Sequence, residues 1–197
     1  MTMKILHYIT DFFDTNIYLF EKCGKNFMVD CGGTPENTMA QLKRLDFRPD
    51  YLLLTHGHID HIASLQAVSA LGAQIIIHPD DAHYLTDPDF NLSTMLIGKE
   101  FMFAGAVSDG AFLESEFNIK MLHTPGHSPG SVCYLTEDTL FSGDTLFCNG
   151  IGNTAFPGGD YDREIYSVKQ LLQLDGNIQV YPGHGKFTTI FAERNTL

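Results

Sequence analysis

The segment Thr55-His56-Gly57-His58-Ile59-Asp60-His61 places three imidazoles and a carboxylate between positions 56 and 61. Further donor candidates follow at His127, Asp144 and His184, each beside a glycine. Neutral imidazole and carboxylate oxygen suit Zn²⁺, Fe or Mn. The set is too large for one tetrahedral ion and about right for two. His56 and His58 are two positions apart, so an extended backbone turns both side chains the same way. Asp60 and His61 begin a helix and project from its first turn. The run can therefore feed two adjacent sites, His56/His58 to one and Asp60/His61 to the other. His127 can complete the first and His184 the second, while Asp144, with two oxygens, can bridge. Two ions about 3.5–4 Å apart would share a hydroxide, because metal binding lowers the pKa of water to about 7. That hydroxide is a nucleophile at neutral pH.

Each candidate sits where a strand-like run has just ended. His56 follows residues 51–54, His127 follows 117–123, Asp144 follows 139–142 and His184 follows 178–181. Strand ends on one sheet edge bring distant residues together on a rigid platform, and loops there carry chemistry while the scaffold holds still. Upstream, 3–9, 16–20 and 26–29 read as strands, with KCGKN at 22–26 as a hairpin turn. Thr34 caps a helix with Pro35 at its first position, and Met39, Leu42 and Leu45 form its apolar stripe. Residues 51–54 are a continuous apolar run, as in a strand buried on both faces, and 73–77 read as the next buried strand. Between them a helix is expected from about Asp60, with Ile62, Leu65, Val68 and Leu71 inward. Residues 80–110 are less regular and read as a short helix with a long loop bordering a binding site. Strands at 117–123, 131–135 and 139–142, a helix over 162–174 and a strand at 178–181 complete the chain. This alternation argues for sheets covered by helices, an α/β chain.

At 197 residues the chain is long enough for one sizeable domain, and 44% hydrophobic against 18% charged residues fits a packed globule. Lys+Arg total 12 against 24 Asp+Glu, a formal charge of −12, which disfavours nucleic acid and anionic membranes as partners. Two divalent cations would offset part of that charge locally, leaving a small-molecule substrate, even an anionic one, open. Cys23, Cys31, Cys133 and Cys148 form no CxxC pair and read as free thiols of a reducing cytoplasm. The N-terminal MTMKILHYIT has no signal-peptide pattern, and no apolar run approaches the roughly 20 residues of a membrane span. A cytoplasmic protein is expected; its oligomeric state is left open.

A rival motif overlaps His127. Gly126-His127-Ser128-Pro129-Gly130 matches G-x-S-x-G, and Asp144 and His184 follow in the order of a hydrolase triad. Pro129 has no N–H to give an oxyanion, and a strand follows where a nucleophile elbow needs a helix. Ser128 therefore reads as a turn support. His7, His78, His83 and His123 read as structural or exposed. Asp30, in Val29-Asp30-Cys31-Gly32, either orients a ligand histidine from behind or braces a turn.

THGHIDH at 55–61, TPGHSPGS at 124–131, SGDTLF at 142–147 and YPGHG at 181–185 together resemble the metallo-β-lactamase superfamily. The resemblance implies a four-layer αββα sandwich with a dinuclear site at one edge. It implies His56, His58 and His127 on one metal, Asp60, His61 and His184 on the other, and Asp144 as the bridge. Zinc is the first expectation for both ions, with Fe or Mn as alternatives. TPGHSPGSVCYL followed by GDTLF is similar to the glyoxalase II group, the hydroxyacylglutathione hydrolases. That likeness implies thioester hydrolysis by a metal-bridging hydroxide. Many members of that group carry Lys or Arg nine residues after the bridging Asp, then Tyr or Asp two further on. Asn153 and Ala155 occupy these substrate-binding positions here. One domain over 1–197 is expected, without the helical C-terminal domain that helps bind glutathione in full-length enzymes of the group. Iron-dependent persulfide dioxygenases and lactone hydrolases are alternative readings within the same resemblance.

Overall fold

The structure, a computed structural model, describes residues 3–196. Met1, Thr2 and Leu197, the ends of the expected 1–197 domain, lie outside the described residues. β1 (Ile5–Ile9), β2 (Asn16–Lys22) and β3 (Lys25–Val29) form an antiparallel meander. Cys23 at φ +51° and Gly24 at φ +71° make the two-residue β2–β3 turn. Left-handed geometry at both positions matches the twist of the flanking strands. α1 (Pro35–Arg44) starts at Thr34, whose Oγ1 accepts from Asn37 N at 3.3 Å. β4 (Tyr51–Leu53), the short helices α2 (Ile59–Ile62) and α3 (Leu65–Ser69), and β5 (Gln74–Ile76) follow, with β3, β4 and β5 parallel. A 3-10 helix (Pro79–Thr86), α4 (Ser93–Ile97) and α5 (Leu113–Phe117) lead to the second half.

There β6 (Lys120–His123), β7 (Val132–Thr136) and β8 (Thr139–Gly143) run antiparallel. A small ribbon, β9 (Leu146–Phe147) with β10 (Gly150–Ile151), precedes α6 (Tyr161–Leu171). β11 (Gln179–Pro182) pairs parallel to β8, and β12 (Thr188–Thr189) leads into α7 (Ile190–Arg194). The two large sheets have the orders β1-β2-β3-β4-β5 and β12-β11-β8-β7-β6.

Period-two alternation along the strands assembles the layers. Leu19, Met28, Leu52 and Ile75 point to a core shared with Leu42 of α1 and Ile62 and Val68 of α2 and α3. Their neighbours Phe20, Phe27, Leu53 and Ile76 point the other way, against Val132, Tyr134 and Phe141 of the second sheet. On that sheet's far side Cys133, Leu140 and Val180 meet Val168 and Leu171 of α6. Three apolar layers between helices, sheet, sheet and helices make the αββα sandwich.

Local departures from the sequence reading have local causes. The helix expected from Asp60 is two short ones, broken at Ser64, whose Oγ donates to Gly33 O at 2.9 Å and whose N donates to Cys31 O at 2.8 Å. Those bonds pull the chain toward the β3–α1 loop and away from a helical ladder. Phe117 ends a helix and does not begin a strand, because Asn118 turns left-handed at φ +51°. α6 stops at Leu171 and β7 begins at Val132, shifts of one to three residues at element ends.

Candidate metal centre

The ends of β4, β8 and β11, with the β6–β7 loop, converge on one edge of the sandwich. His56 Nε2 lies 3.2 Å and His58 Nδ1 2.9 Å from His127 Nε2. His184 Nε2 lies 3.1 Å from Asp60 Oδ2 and 3.3 Å from His61 Nε2. Asp144 stands between these sets: Oδ1 is 3.3 Å from His61 Nε2, and Oδ2 is 3.5 Å from His184 Nε2 and 3.8 Å from His127 Nε2. The two groups of donors, His56/His58/His127 and Asp60/His61/Asp144/His184, each fit around one ion.

The hydrogen-bond network decides where the ring protons sit, and with them whether the donors suit a cation. His61 Nδ1 bonds Asp30 Oδ2 at 2.8 Å, and His127 Nδ1 bonds the Asn153 carbonyl at 2.8 Å. Both are acceptors, so each ring donates there and turns a bare Nε2 inward. Thr55 Oγ1 donates its only proton to Asp30 Oδ2 at 2.8 Å and therefore accepts from His56 Nδ1 at 3.1 Å. His56 Nε2 is bare as well. Lone pairs facing one another at such distances repel unless a cation lies among them. Asp144 Oδ1, buried without a hydrogen-bond partner, is a further donor in need of one. The residues fit divalent ions.

The electrostatics of the two sets differ. Burial, reinforced by neighbouring imidazoles, holds His56 well below the ordinary histidine range, and burial beside His127 takes His58 down to about 3. Burial opposes charge on His61 too, but Asp144, Asp60 and Asp30 outweigh it and raise its pKa. Burial pushes Asp60 and Asp144 up, yet His61 and His184 hold both below the usual carboxylate range. Burial thus keeps His56 and His58 uncharged, while both ligand carboxylates, Asp60 and Asp144, lie in the second set.

Asp30 both orients and braces. It is 1% exposed, sits at φ +58°, and also accepts from Thr55 N at 2.8 Å. Asn153 is exposed and contributes through its carbonyl, while its side chain accepts from Ala155 N at 3.0 Å. Ala155 is exposed and makes that one backbone contact. Ser128 is buried and donates to Asp81 Oδ2 at 2.7 Å, so it serves the turn. Of the histidines set aside, His78 and His123 meet at the surface beside Asp80. Their rings stack 4.1 Å apart at 12°, which sends their in-plane lone pairs along parallel planes and not toward one ion.

Two buried carboxylates that brace the His127 loop escaped the sequence reading. Asp81 is fully buried and accepts from Gly57 N at 3.0 Å, Gly130 N at 2.6 Å and Ser128 Oγ at 2.7 Å. It ties the loop of His56 and His58 to the loop of His127. Glu164, in the first turn of α6, accepts from His127 N at 2.8 Å, and burial raises its carboxyl to about 8. Asp81 also follows a buried strand, β5, but its neighbours His78, Asp80 and His83 fall in no spacing that sets it apart from a surface turn. Replacing Asp81 with Ala strands three buried donors. It is expected to weaken metal binding at the His56/His58/His127 set by about 10- to 100-fold while the other set keeps its affinity. Stepwise chelator competition checks this; equal loss at both sets would make Asp81 a general stabiliser only.

The sequence pattern of the metallo-β-lactamase superfamily matches residues 10–184, a span that holds all seven donors. The chain belongs to that superfamily. Within it, the chain groups with glyoxalase II-like members: hydroxyacylglutathione hydrolase GloC of Haemophilus influenzae is 34% identical over 183 residues, covering 86% of this chain and 84% of its own. The crystal structure of BLEG-1 B3 metallo-β-lactamase superposes with a TM-score of 0.88 at 34% identity, over 98% of this chain and 97% of that one. TTHA1623, crystallised in a di-iron-bound form, gives 0.85 at 32% identity, over 97% and 98%.

Proposed function

We propose that this chain is a dinuclear metallohydrolase of small thioesters, with zinc as its preferred metal. The observation that carries the reading is the pair of inward-facing donor sets sharing Asp144. His56, His58 and His127 would hold one ion, Asp60, His61 and His184 the other, and Asp144 both. Bound divalent ions supply a hydroxide nucleophile near neutral pH and polarise the carbonyl oxygen. The chain keeps the donors in place: Asp30, Thr55 and the Asn153 carbonyl each hold one ring in its required tautomer. Phe156 packs 5.7 Å from the His58 ring and 6.4 Å from His127, and Phe147 lies 6.2 Å from His184. These rings exclude water from two flanks of the site. A thiolate leaves without being protonated, so the cleavage needs no acid beyond the ligands.

The likeness to GloC supports the thioester, and the chain's acidity supports a small molecule over nucleic acid or an anionic membrane. Among the described residues no helix is long and apolar enough to cross a membrane. The reading takes the chain as one domain working in the cytoplasm. A second reading, an iron-dependent oxidoreductase of persulfides, draws on the same N/O donor set and on the relative crystallised with two irons. The likeness to a B3 metallo-β-lactamase adds a β-lactam to the comparison. Zinc-loaded and iron-loaded protein, assayed against S-lactoylglutathione, a lactone, glutathione persulfide with oxygen, and a chromogenic cephalosporin, separates these. Chelator-sensitive thiol release as the dominant activity is expected. Oxygen consumption by the iron form, with inert thioesters, would replace the hydrolase by the oxidoreductase.

A further inference from the structure

We propose that the cleft beside α2 binds the acyl limb of the substrate, and that it selects an apolar chain ending in a carboxylate, which Lys99 pairs with. The proposal rests on the thioester reading. The cleft, of about 330 Å³, is lined by Phe12, Ile59, Ala63, Ile97 and Phe101, with Lys99 as its one charged lining residue. That volume suits a small ligand. Ile59 lies between His58 and Asp60 in the chain, so the cleft is walled by the same turn that presents both donor sets. The β3–α1 loop closes in at Gly32, where a side chain would collide with the Asp60 carbonyl oxygen. An acyl limb that reaches this cleft from the metal centre passes the Ile59 wall of that turn.

Two segments form its outer walls, the β1–β2 loop with Phe12 and residues 92–103 with Ile97, Lys99 and Phe101. Both expose large apolar side chains: Phe13 is 43%, Met95 59% and Met102 57% accessible. Apolar exposure gathered on two facing segments marks a contact surface, and methionine adapts to varied shapes. Both segments also hold non-glycine residues in left-handed backbone, Phe13 at φ +59°, Asp14 at φ +53° and Leu92 at φ +65°. Such conformations gather at ligand-binding sites.

The charge gives the class. Among the described residues Lys22, Lys25 and Lys120 each face a carboxylate, and of the lysines that form no ion pair Lys99 is the one that lines this cleft. Asp11, on the β1–β2 loop, has both oxygens engaged by Thr34, at 2.9 and 2.7 Å, and Glu100 does not line the cleft. A free cation on an apolar cleft, in a chain of net charge −12, selects an anionic end-group that the rest of the surface would repel. Asn153 offers no such cation on the other side of the site. Hydrolysis adds the water oxygen to the acyl carbon and breaks its C–S bond. The departing thiolate takes up one proton of the water and the other is lost as the new carboxyl ionises, leaving a dicarboxylate whose distal end Lys99 still holds.

The test compares hexanoyl and adipoyl thioesters of one small thiol in wild type, Lys99→Gln, Lys99→Glu and the remote control Lys120→Gln. Wild type is expected to favour the adipoyl ester in kcat/KM by about fivefold. Lys99→Gln should bring that ratio to about one and Lys99→Glu should invert it, with metal content retained and Lys120→Gln like wild type. A preference unchanged in both Lys99 variants, or absent in wild type, overturns the proposal. Binding of the non-hydrolysable thioether analogue of the adipoyl ester, followed by calorimetry, separates the two layers. Lys99-dependent binding without turnover of either ester supports the cleft and sinks the thioester reading. Turnover without Lys99 dependence sinks the cleft and leaves that reading standing.

Discussion

Replacing Asp60 with Ala is expected to lower metal content from two ions per chain toward one and to cut thioester turnover by about 10²- to 10³-fold, the loss typical of one electrostatic stabiliser at a reacting centre. Asp60 Oδ2 lies 3.1 Å from His184 Nε2 and 3.5 Å from His61 Nε2, so a single carboxylate oxygen of Asp60 reaches both imidazoles of the second set. Its loss leaves His61, His184 and a shared Asp144. The all-imidazole His56/His58/His127 set is untouched and should keep its ion. Elemental analysis of purified protein, alongside thiol-release kinetics, reads both effects. Wild-type metal content and rate in this variant would remove Asp60 from the site.

Gly183→Ala should be at least as damaging, without touching a donor. A side-chain carbon there would run into Asp144 Oδ1 and sit 2.8 Å from His61 Cε1 and 3.1 Å from the Gly143 carbonyl carbon. Gly183 also donates to Gly143 O and accepts from Asn16 N, both at 2.7 Å, so its backbone has little room to retreat. The relief available is displacement of Asp144 or of the loop carrying His184. Overpacking of this kind costs about 1–3 kcal/mol or more, and here the strain falls on the shared ligand. The expected outcome is a folded protein with a lower melting temperature and strongly reduced retention of both ions. Thermal melts with and without added metal check it: a variant that melts like wild type and is stabilised equally by metal would show that the loop accommodates the methyl group.

Both expectations depend on residues that differ in how openly the sequence displays them. Asp60 was legible because its type and its place beside three histidines have few other uses. Sheets covered by helices were legible because buried strands such as 51–54 are unbroken apolar runs set between helical stretches, while the four-layer αββα order came from the resemblance of the donor motifs. Asp81 and Glu164 were not, since a carboxylate that accepts from backbone N–H groups has no spacing rule; only the folded loops bring those donors to it. The role of Asn153 was hidden for a related reason: its carbonyl holds His127, and every residue has a carbonyl. The break at Ser64 was missed because apolar periodicity runs through it, and the bonds that divert the chain come from the distant β3–α1 loop. Lys99 lies in the stretch where sequence periodicity fades, and its place on the cleft wall appears only when the β1–β2 loop closes against it.

The most direct test of the central claim is to strip the protein of metal with chelator and add zinc back in fractions of an equivalent while following thiol release from S-lactoylglutathione. A dinuclear hydrolase gives no turnover when stripped, binding that saturates at two ions per chain, and activity that reaches its plateau only with the second. Activity surviving complete removal of metal, or saturation at a single ion with full turnover, would contradict it.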